Sequence, residues 1–270
     1  MPQKPPVALS IAGFDPSSGA GVTADLAVFA AHGIFGTSAI TTLTVQSTLG
    51  VAAREEPSAA HLKYVLEHLN TDLPPAGVKI GALGNAALAR VVADFLKKGE
   101  KIVPTIWDPA LVSSSGLHLV DPSALSTLHD HLLPSIHWAT PNWTELALLS
   151  GHPVATLADA EHAAAALGAR YPNLWLAVTG GDQAQPTDLL RSPNGEIQHF
   201  PAKHIDSTST HGTGCAFSSA LLANLIHGHS PAEAVASAKH YVAEAIRQAP
   251  NLGSGRGPLA LLWPLQKGTD

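Results

Sequence analysis

Short apolar runs rich in β-branched residues alternate with longer Ala- and Leu-rich amphipathic stretches along most of the chain. The runs Val7–Ala12, Gly36–Leu43, Gly77–Gly81, Ile102–Trp107, Ile136–Ala139 and Leu174–Val178 predict strands. The stretches Ala20–Ala31, Ala59–Leu69, Ala86–Lys97, Pro122–His131, Thr144–Leu149 and Leu157–Leu167 predict the helices between them. Each strand is nearly all apolar, as required where helices cover both faces of a sheet. The expected fold is therefore α/β: a three-layer α/β/α sandwich around a mainly parallel sheet. Between Pro186 and Phe200 two short runs flank Ser192-Pro193-Asn194-Gly195, and Asn-Gly predicts an antiparallel hairpin at one edge. From Gly212 onward the pattern is helical, over Cys215–His227 and then Pro231–Gln248, with proline in the first turn and Glu233 near the positive end. No linker, composition break or repeat divides residues 1–270, so one domain is expected.

Composition narrows the class. Hydrophobic residues make up 45% and charged residues 13% of the 270, enough apolar material for one large core. Fifteen Lys and Arg against 21 Asp and Glu leave a net charge of -6 with no basic run, which argues against nucleic acid or an anionic membrane as partner. The lone cysteine has no intrachain disulfide partner, and the 15 histidines never fall into a metal-ligand spacing such as HExxH. The first residues lack a signal-peptide layout and no segment approaches the roughly 18 apolar residues of a membrane span, so a cytoplasmic protein is expected.

In an open parallel sheet, ligands gather beyond the carboxyl ends of the strands. Polar and glycine-rich residues occupy seven such junctions: 13–21, 44–46, 81–85, 108–109, 141–145, 179–181 and 210–215. Gly19-Ala20-Gly21-Val22-Thr23-Ala24 satisfies a dinucleotide pattern, but Asp15-Pro16-Ser17-Ser18 separates it from the strand and no acidic residue ends the second strand. A nicotinamide site is therefore disfavoured. Thr210-His211-Gly212-Thr213-Gly214-Cys215, opening a long apolar helix, is more informative. Two glycines let successive N–H groups share one concavity, where the helix dipole favours a phosphoryl group. Cys215 at that helix start is either a thiol with a lowered pKa or a buried structural cysteine, and its place after Gly-Thr-Gly favours the former.

These residues carry a family resemblance. Ala12-Gly13-Phe14-Asp15-Pro16-Ser17-Ser18-Gly19-Ala20-Gly21, Ala24-Asp25-Leu26, Thr42-Leu43-Thr44-Val45-Gln46-Ser47-Thr48, Val78-Lys79-Ile80-Gly81, Trp107-Asp108-Pro109, Thr140-Pro141-Asn142-Trp143-Thr144-Glu145-Leu146 and His211-Gly212-Thr213-Gly214-Cys215 resemble, in order, the hydroxymethylpyrimidine/phosphomethylpyrimidine kinases of thiamine biosynthesis. The resemblance implies a ribokinase-like fold. It also implies ATP and Mg2+ as cofactors, a homodimer, and transfer of a phosphoryl group to 4-amino-5-hydroxymethyl-2-methylpyrimidine and then to its monophosphate.

By the same resemblance, Cys215 stands nearest the acceptor hydroxyl as base or hydrogen-bond partner, and Gly212, Thr213 and Gly214 form an anion hole. Gln46 matches the position that reads the pyrimidine, where an amide both donates and accepts. Gly13, Asp25, Val45, Ala82 and Asp108 are implied on the substrate side, although Asp25 also suits a helix surface and Asp108 an Asp-Pro turn. Thr179, Gly180 and Gly181 would border the nucleotide. Asn142 and Glu145 match a magnesium and phosphate motif acting through water, and the same spacing is a helix capping box.

The departures are specific. Relatives usually carry lysine in the stretches that here read Val178-Thr179-Gly180-Gly181 and Ser113-Ser114-Ser115-Gly116, so phosphate neutralisation falls to Mg2+, the anion hole and Lys239 or Arg256. Phe14 replaces a usual serine and Ala82 a usual methionine over the ring, which reshapes the acceptor pocket. A pyridoxal or pyridoxine kinase, and a pyrimidine- or nucleotide-binding sensor without turnover, stay open as alternatives.

Overall fold

The computed structural model describes residues 4–99, 103–112, 116, 118–181, 183 and 186–266. Ile102 of the expected fourth strand and Ser113, Ser114 and Ser115 lie outside the described residues. Among the described residues nine strands form one sheet: β1 (Val7–Phe14), β2 (Phe35–Ser47), β3 (Gly50–Glu55), β4 (Gly77–Ile80), β5 (Thr105–Trp107), β6 (Trp138–Ala139), β7 (Trp175–Val178), β8 (Thr187–Arg191) and β9 (Ile197–Pro201). Their spatial order is β3-β2-β1-β4-β5-β6-β7-β8-β9. β2, β1, β4, β5, β6 and β7 pair in parallel, whereas β3 at one edge and β8 and β9 at the other run antiparallel. The expected hairpin closes one edge, with Gly195 at φ 91° in its turn. β3 was not expected. Its residues Gly50-Val51-Ala52-Ala53-Arg54-Glu55 are half-buried or exposed and lack the apolar content of an inner strand.

The helices are α1 (Gly21–Ala31), α2 (Ala59–Asp72), α3 (Ala86–Lys97), α4 (Leu125–Thr127), α5 (Trp143–Ser150), α6 (Leu157–Arg170), α7 (Thr213–Ile226) and α8 (Pro231–Arg247). Several expected boundaries are reproduced to within a residue or two, and local capping explains why. Asn85 accepts from the Leu88 N–H at the start of α3, and Ser230 caps α8 reciprocally with Glu233. The continuous helix expected over Pro122–His131 is instead a passage through 3-10, α and π turns across residues 122–135. Pro134 in that segment cannot donate to a regular ladder.

One core layer packs α2, α3, α5 and α6 against residues such as Leu9, Ile11, Ile80, Trp107 and Leu176. On the other face α1, α7 and α8 bury Ala8, Ile106, Trp138 and Ala177. Burial of a Leu- or Ile-sized side chain stabilises by about 1.5–3 kcal/mol, so these two layers supply the main driving force. No helix among the described residues is long and apolar enough to cross a membrane. The crossovers run one way from β1 to β2 and the other way to β4. The carboxyl ends of β1 and β4 therefore form the crevice where a doubly wound sheet takes its ligand.

Candidate active site

A cleft of about 640 Å³ opens at that crevice. Its walls come from the 13–21 turn after β1, the end of β2, the 81–82 and 108–110 turns after β4 and β5, the start of α5, Thr179, and the 210–215 turn into α7. Gly212 is the N-cap of α7 at φ 83°, and a Cβ there would lie 1.9 Å from the Gly19 carbonyl oxygen. Both its left-handed backbone and its close approach to the first turn demand glycine. The α7 N-terminus thus turns N–H groups that have no partner within the helix, and the positive end of its dipole, toward the cleft.

Beneath this turn lies a charged cluster. Lys79 is fully buried, with Nζ 2.9 Å from both Asp25 carboxylate oxygens and 3.9 Å from Asp108 Oδ2. Asp25 also accepts from Ser10 Oγ at 2.6 Å and Ser219 Oγ at 2.8 Å. Burial alone would lower the lysine pKa, but the Asp25 charge overrides it and holds the ammonium well above its usual value. Asp108 accepts from Ser218 Oγ at 3.2 Å and is hydrogen-bonded to Cys215. Burial raises its carboxyl, Lys79 opposes the rise, and Asp25 adds to it.

Cys215 lies on the cleft wall and accepts a hydrogen bond from the Gly21 N–H. Burial pushes its thiol up to about 12, against Lys79 and with the help of the Asp108 and Asp25 charges. The expected fall in pKa at the helix start does not occur, because burial and two carboxylates outweigh Lys79 and the helix terminus.

Between the same two turns, Asp15 Oδ2 lies 2.7 Å from His211 Nε2, whose ring packs on Gly19. Burial would raise the Asp15 carboxyl, but hydrogen bonds from His211 and Ser17 hold it below its usual value. Further along, Asn142 and Glu145 form the capping box of α5: the Glu145 N–H donates to Asn142 Oδ1 at 2.9 Å, and the Asn142 N–H to Glu145 Oε2 at 3.0 Å. Both line the cleft.

Residues 15–260 match the family described as phosphomethylpyrimidine kinase. The chain belongs to that family. The hydroxymethylpyrimidine/phosphomethylpyrimidine kinase of Synechococcus elongatus is 38% identical over 261 residues, 96% of this chain and 98% of that protein. Among solved structures, the Staphylococcus aureus pyridoxal kinase in complex with AMP-PCP and pyridoxal superposes with a TM-score of 0.86 at 26% identity, covering 96% of this chain and 94% of that one. The phosphomethylpyrimidine kinase of Clostridium difficile 630 does so with a TM-score of 0.78 at 31% identity, covering 89% and 99%.

Of the residues singled out in the sequence of this kinase, Gly13, Gln46, Ala82, Asp108, Asn142, Glu145, Thr179, Gly212, Thr213, Gly214 and Cys215 line one cleft. Five others do not. Asp25 is enclosed under the cleft floor by Lys79, Ser10 and Ser219 and is neither a substrate-side nor a surface carboxylate. Val45 is exposed because successive β2 side chains alternate, so that Thr44 and Gln46 face the cleft and Val45 faces away. Gly180 and Gly181 turn behind the wall. The Gly180 N–H donates to Asp188 Oδ1 at 3.0 Å, and a Cβ there would meet the Thr187 carbonyl oxygen at 2.3 Å. Lys239 is tied to Asp188 at 2.8 Å and braces that turn from below.

Several cleft residues carried no assigned role in the sequence. Lys79, Asp15 and His211 sat inside quoted motifs, and Lys79 also broke the apolar pattern of its four-residue strand, all of which is buried. A charge at such a position signals a paired partner. Thr42 and Thr140 place buried hydroxyls on the cleft wall with no protein partner among the described residues. Nothing in their sequence context distinguishes them from ordinary strand threonines.

Proposed function

We propose that this kinase transfers the γ-phosphoryl group of ATP to the hydroxymethyl group of 4-amino-5-hydroxymethyl-2-methylpyrimidine, and a second one to the resulting monophosphate. The observation that carries this reading is the α7 N-terminus, an anion cradle of Gly212, Thr213 and Gly214, sharing a cleft with the amide of Gln46. The first fits a phosphoryl group in transfer, the second an aminopyrimidine edge that needs a donor and an acceptor. The names of the relatives agree with this assignment.

The roles follow from placement. Gly13 and Ala82 wall the ring pocket, Gln46 reads the ring, and Thr179 with Asn142 borders the triphosphate. Cys215, with its thiol protonated, positions the acceptor hydroxyl. Its hydrogen bond to Asp108 puts a carboxylate one thiol away from the departing proton. Phosphoryl transfer depends mainly on position and charge neutralisation, so the α7 amides contribute more than the base does. Arg256 lines the cleft and is the exposed-side cation available to phosphates, whereas Lys239 acts only through Asp188 and the Gly180 turn.

Mg2+ belongs to the proposal as well. Among the described residues no three His, Cys, Asp or Glu side chains gather into a cage. The cleft offers the carboxylate of Glu145 and the amide of Asn142, oxygen donors suited to an ion that keeps most of its waters. Bound there with the nucleotide, the ion supplies charge neutralisation. We further propose that residues 1–270 act as one domain, as a cytoplasmic homodimer.

The test is mass-resolved product analysis of purified protein with MgATP and, separately, the hydroxymethylpyrimidine, its monophosphate and pyridoxal. Mono- and then pyrophosphate are expected. Pyridoxal phosphate alone would favour the second reading, a pyridoxal kinase, for which the superposition on the Staphylococcus enzyme and the small Ala82 speak. Ring binding without any product would favour a sensor.

A further inference from the structure

The amide of Gln46 is one member of a closed hydrogen-bonded ring. One end of it lies 3.1 Å from Thr44 Oγ1 and the other 3.1 Å from His211 Nε2. His211 Nε2 lies 2.7 Å from Asp15 Oδ2, and Thr44 Oγ1 donates to the Phe14 carbonyl oxygen at 2.8 Å, one residue from Asp15. Asp15 itself is immobilised: its carboxylate accepts from the Ser17 N–H at 2.8 Å, Ser17 Oγ at 2.7 Å and the Ala20 N–H at 3.0 Å.

Donor and acceptor sense around this ring is forced. An ionised Asp15 only accepts, so His211 Nε2 must carry the imidazole proton. An amide nitrogen facing that N–H would set two donors against each other. The two ends of a glutamine amide have the same shape, and the partners decide which end is which. The Thr44 hydroxyl spends its single hydrogen on Phe14 and keeps a lone pair for Gln46. The consistent assignment has the one Nε2–H of His211 donating mainly to Asp15 at 2.7 Å and shared, as the longer arm of a three-centre bond, with Gln46 Oε1 at 3.1 Å, while Gln46 Nε2 donates to Thr44. One amide hydrogen and one oxygen lone pair then remain for a ligand, in a fixed order.

We infer that His211, oriented by Asp15, is a specificity-positioning residue that locks the Gln46 amide in one orientation, so that the cleft selects a ring edge carrying an acceptor beside a donor. This rests on the reading of Gln46 as the residue that meets the ring. An aminopyrimidine has such an edge in its ring nitrogen and exocyclic amino group. A free amide could turn over and serve the opposite order equally well.

Two measurements test the assignment. In the first, KM and kcat are compared for the hydroxymethylpyrimidine, pyridoxal and ATP in wild type, His211→Leu and His211→Gln. Loss of the orienting N–H in His211→Leu should raise KM for the pyrimidine about three- to tenfold, the worth of one shared hydrogen bond. The KM for ATP should change less than about twofold, and the preference for the pyrimidine over pyridoxal should fall. His211→Gln, whose amide nitrogen can occupy the Nε2 position, should restore most of the preference. Equal losses toward both ring compounds, or a loss confined to kcat, would overturn the inference.

The second measurement needs no turnover and no variant that folds poorly. Long-range ¹H–¹⁵N spectra of the wild-type imidazoles, with His211 assigned against His211→Gln or by backbone connectivity, report which ring nitrogen is protonated near neutral pH. A protonated Nε2 is expected, and an Nδ1–H tautomer overturns the ring as drawn. Should neither ring compound be phosphorylated, the proposed function falls, while the tautomer still decides the geometry.

Discussion

Replacing Lys79 with methionine isolates a fully buried ion pair. Lys79 and Asp25 are both fully buried, the ammonium contacts both carboxylate oxygens at 2.9 Å, and the two residues are 54 apart in sequence. Methionine fills similar volume but leaves Asp25 with two hydroxyl donors, Ser10 and Ser219, against an uncompensated buried charge. Breaking a buried pair in this way costs about 3–5 kcal/mol, a large part of the roughly 5–15 kcal/mol that holds a typical domain together. The melting temperature should fall by roughly 6–20 °C, taking about 2–4 °C for each kcal/mol. Asp25→Asn with Lys79→Met removes both charges and should recover part of that loss. The Lys79 pKa is raised in the folded protein, so its contribution is complete below the ordinary lysine range and is lost only as pH rises through the folded value. The stability of the wild type drawn from this pair should therefore be constant between about pH 6 and 9. Urea unfolding followed by circular dichroism and tryptophan fluorescence measures it. A loss below about 1 kcal/mol, or a double variant no more stable than Lys79→Met, would refute the view that Asp25 depends on this partner.

Gly212→Ala places a methyl group 1.9 Å from the Gly19 carbonyl at a left-handed φ of 83°, and should abolish phosphoryl transfer and lower the melting temperature, read by product formation and a thermal melt. With its thiol near 12, Cys215 should be alkylated by iodoacetamide roughly a thousandfold more slowly than free cysteine at about pH 8, with a rate still climbing beyond about pH 10; mass spectrometry of time points would show a plateau near neutrality if the thiol were activated. Lys239→Met removes the 2.8 Å partner of Asp188 and should cost about 1–3 kcal/mol while raising KM for ATP more than KM for the pyrimidine, in steady-state kinetics with each substrate varied.

The inner strands were legible because helices cover both sides of them, which makes runs such as Leu174–Val178 apolar throughout. β3 was not, because an exposed edge strand ending in Arg54 and Glu55 shows neither a continuous apolar run nor strict alternation. The cleft residues were legible as motifs at strand ends. Asp25 and Lys239 were misplaced for a common reason: each is decided by a distant partner, Lys79 on β4 or Asp188 on β8, that local pattern does not specify. Cys215 failed differently. A helix start favours a thiolate, but burial and the neighbouring carboxylates, which raise the thiol, arise only from tertiary packing.

The contact between Asp15 and His211 spans 196 residues, and the late Gly255 turn reaches the other side of the cleft, where the Arg256 N–H donates to the Thr48 carbonyl oxygen at 2.9 Å. The turns after β1 and β2, which carry the other half of these contacts, leave the ribosome long before residues 211–256 do. During synthesis the sheet can therefore begin to assemble while its ligand crevice still lacks a wall. A nascent chain arrested before residue 211 should hold neither nucleotide nor ring compound, so the crevice becomes competent only once residues 211–256 have followed the sheet.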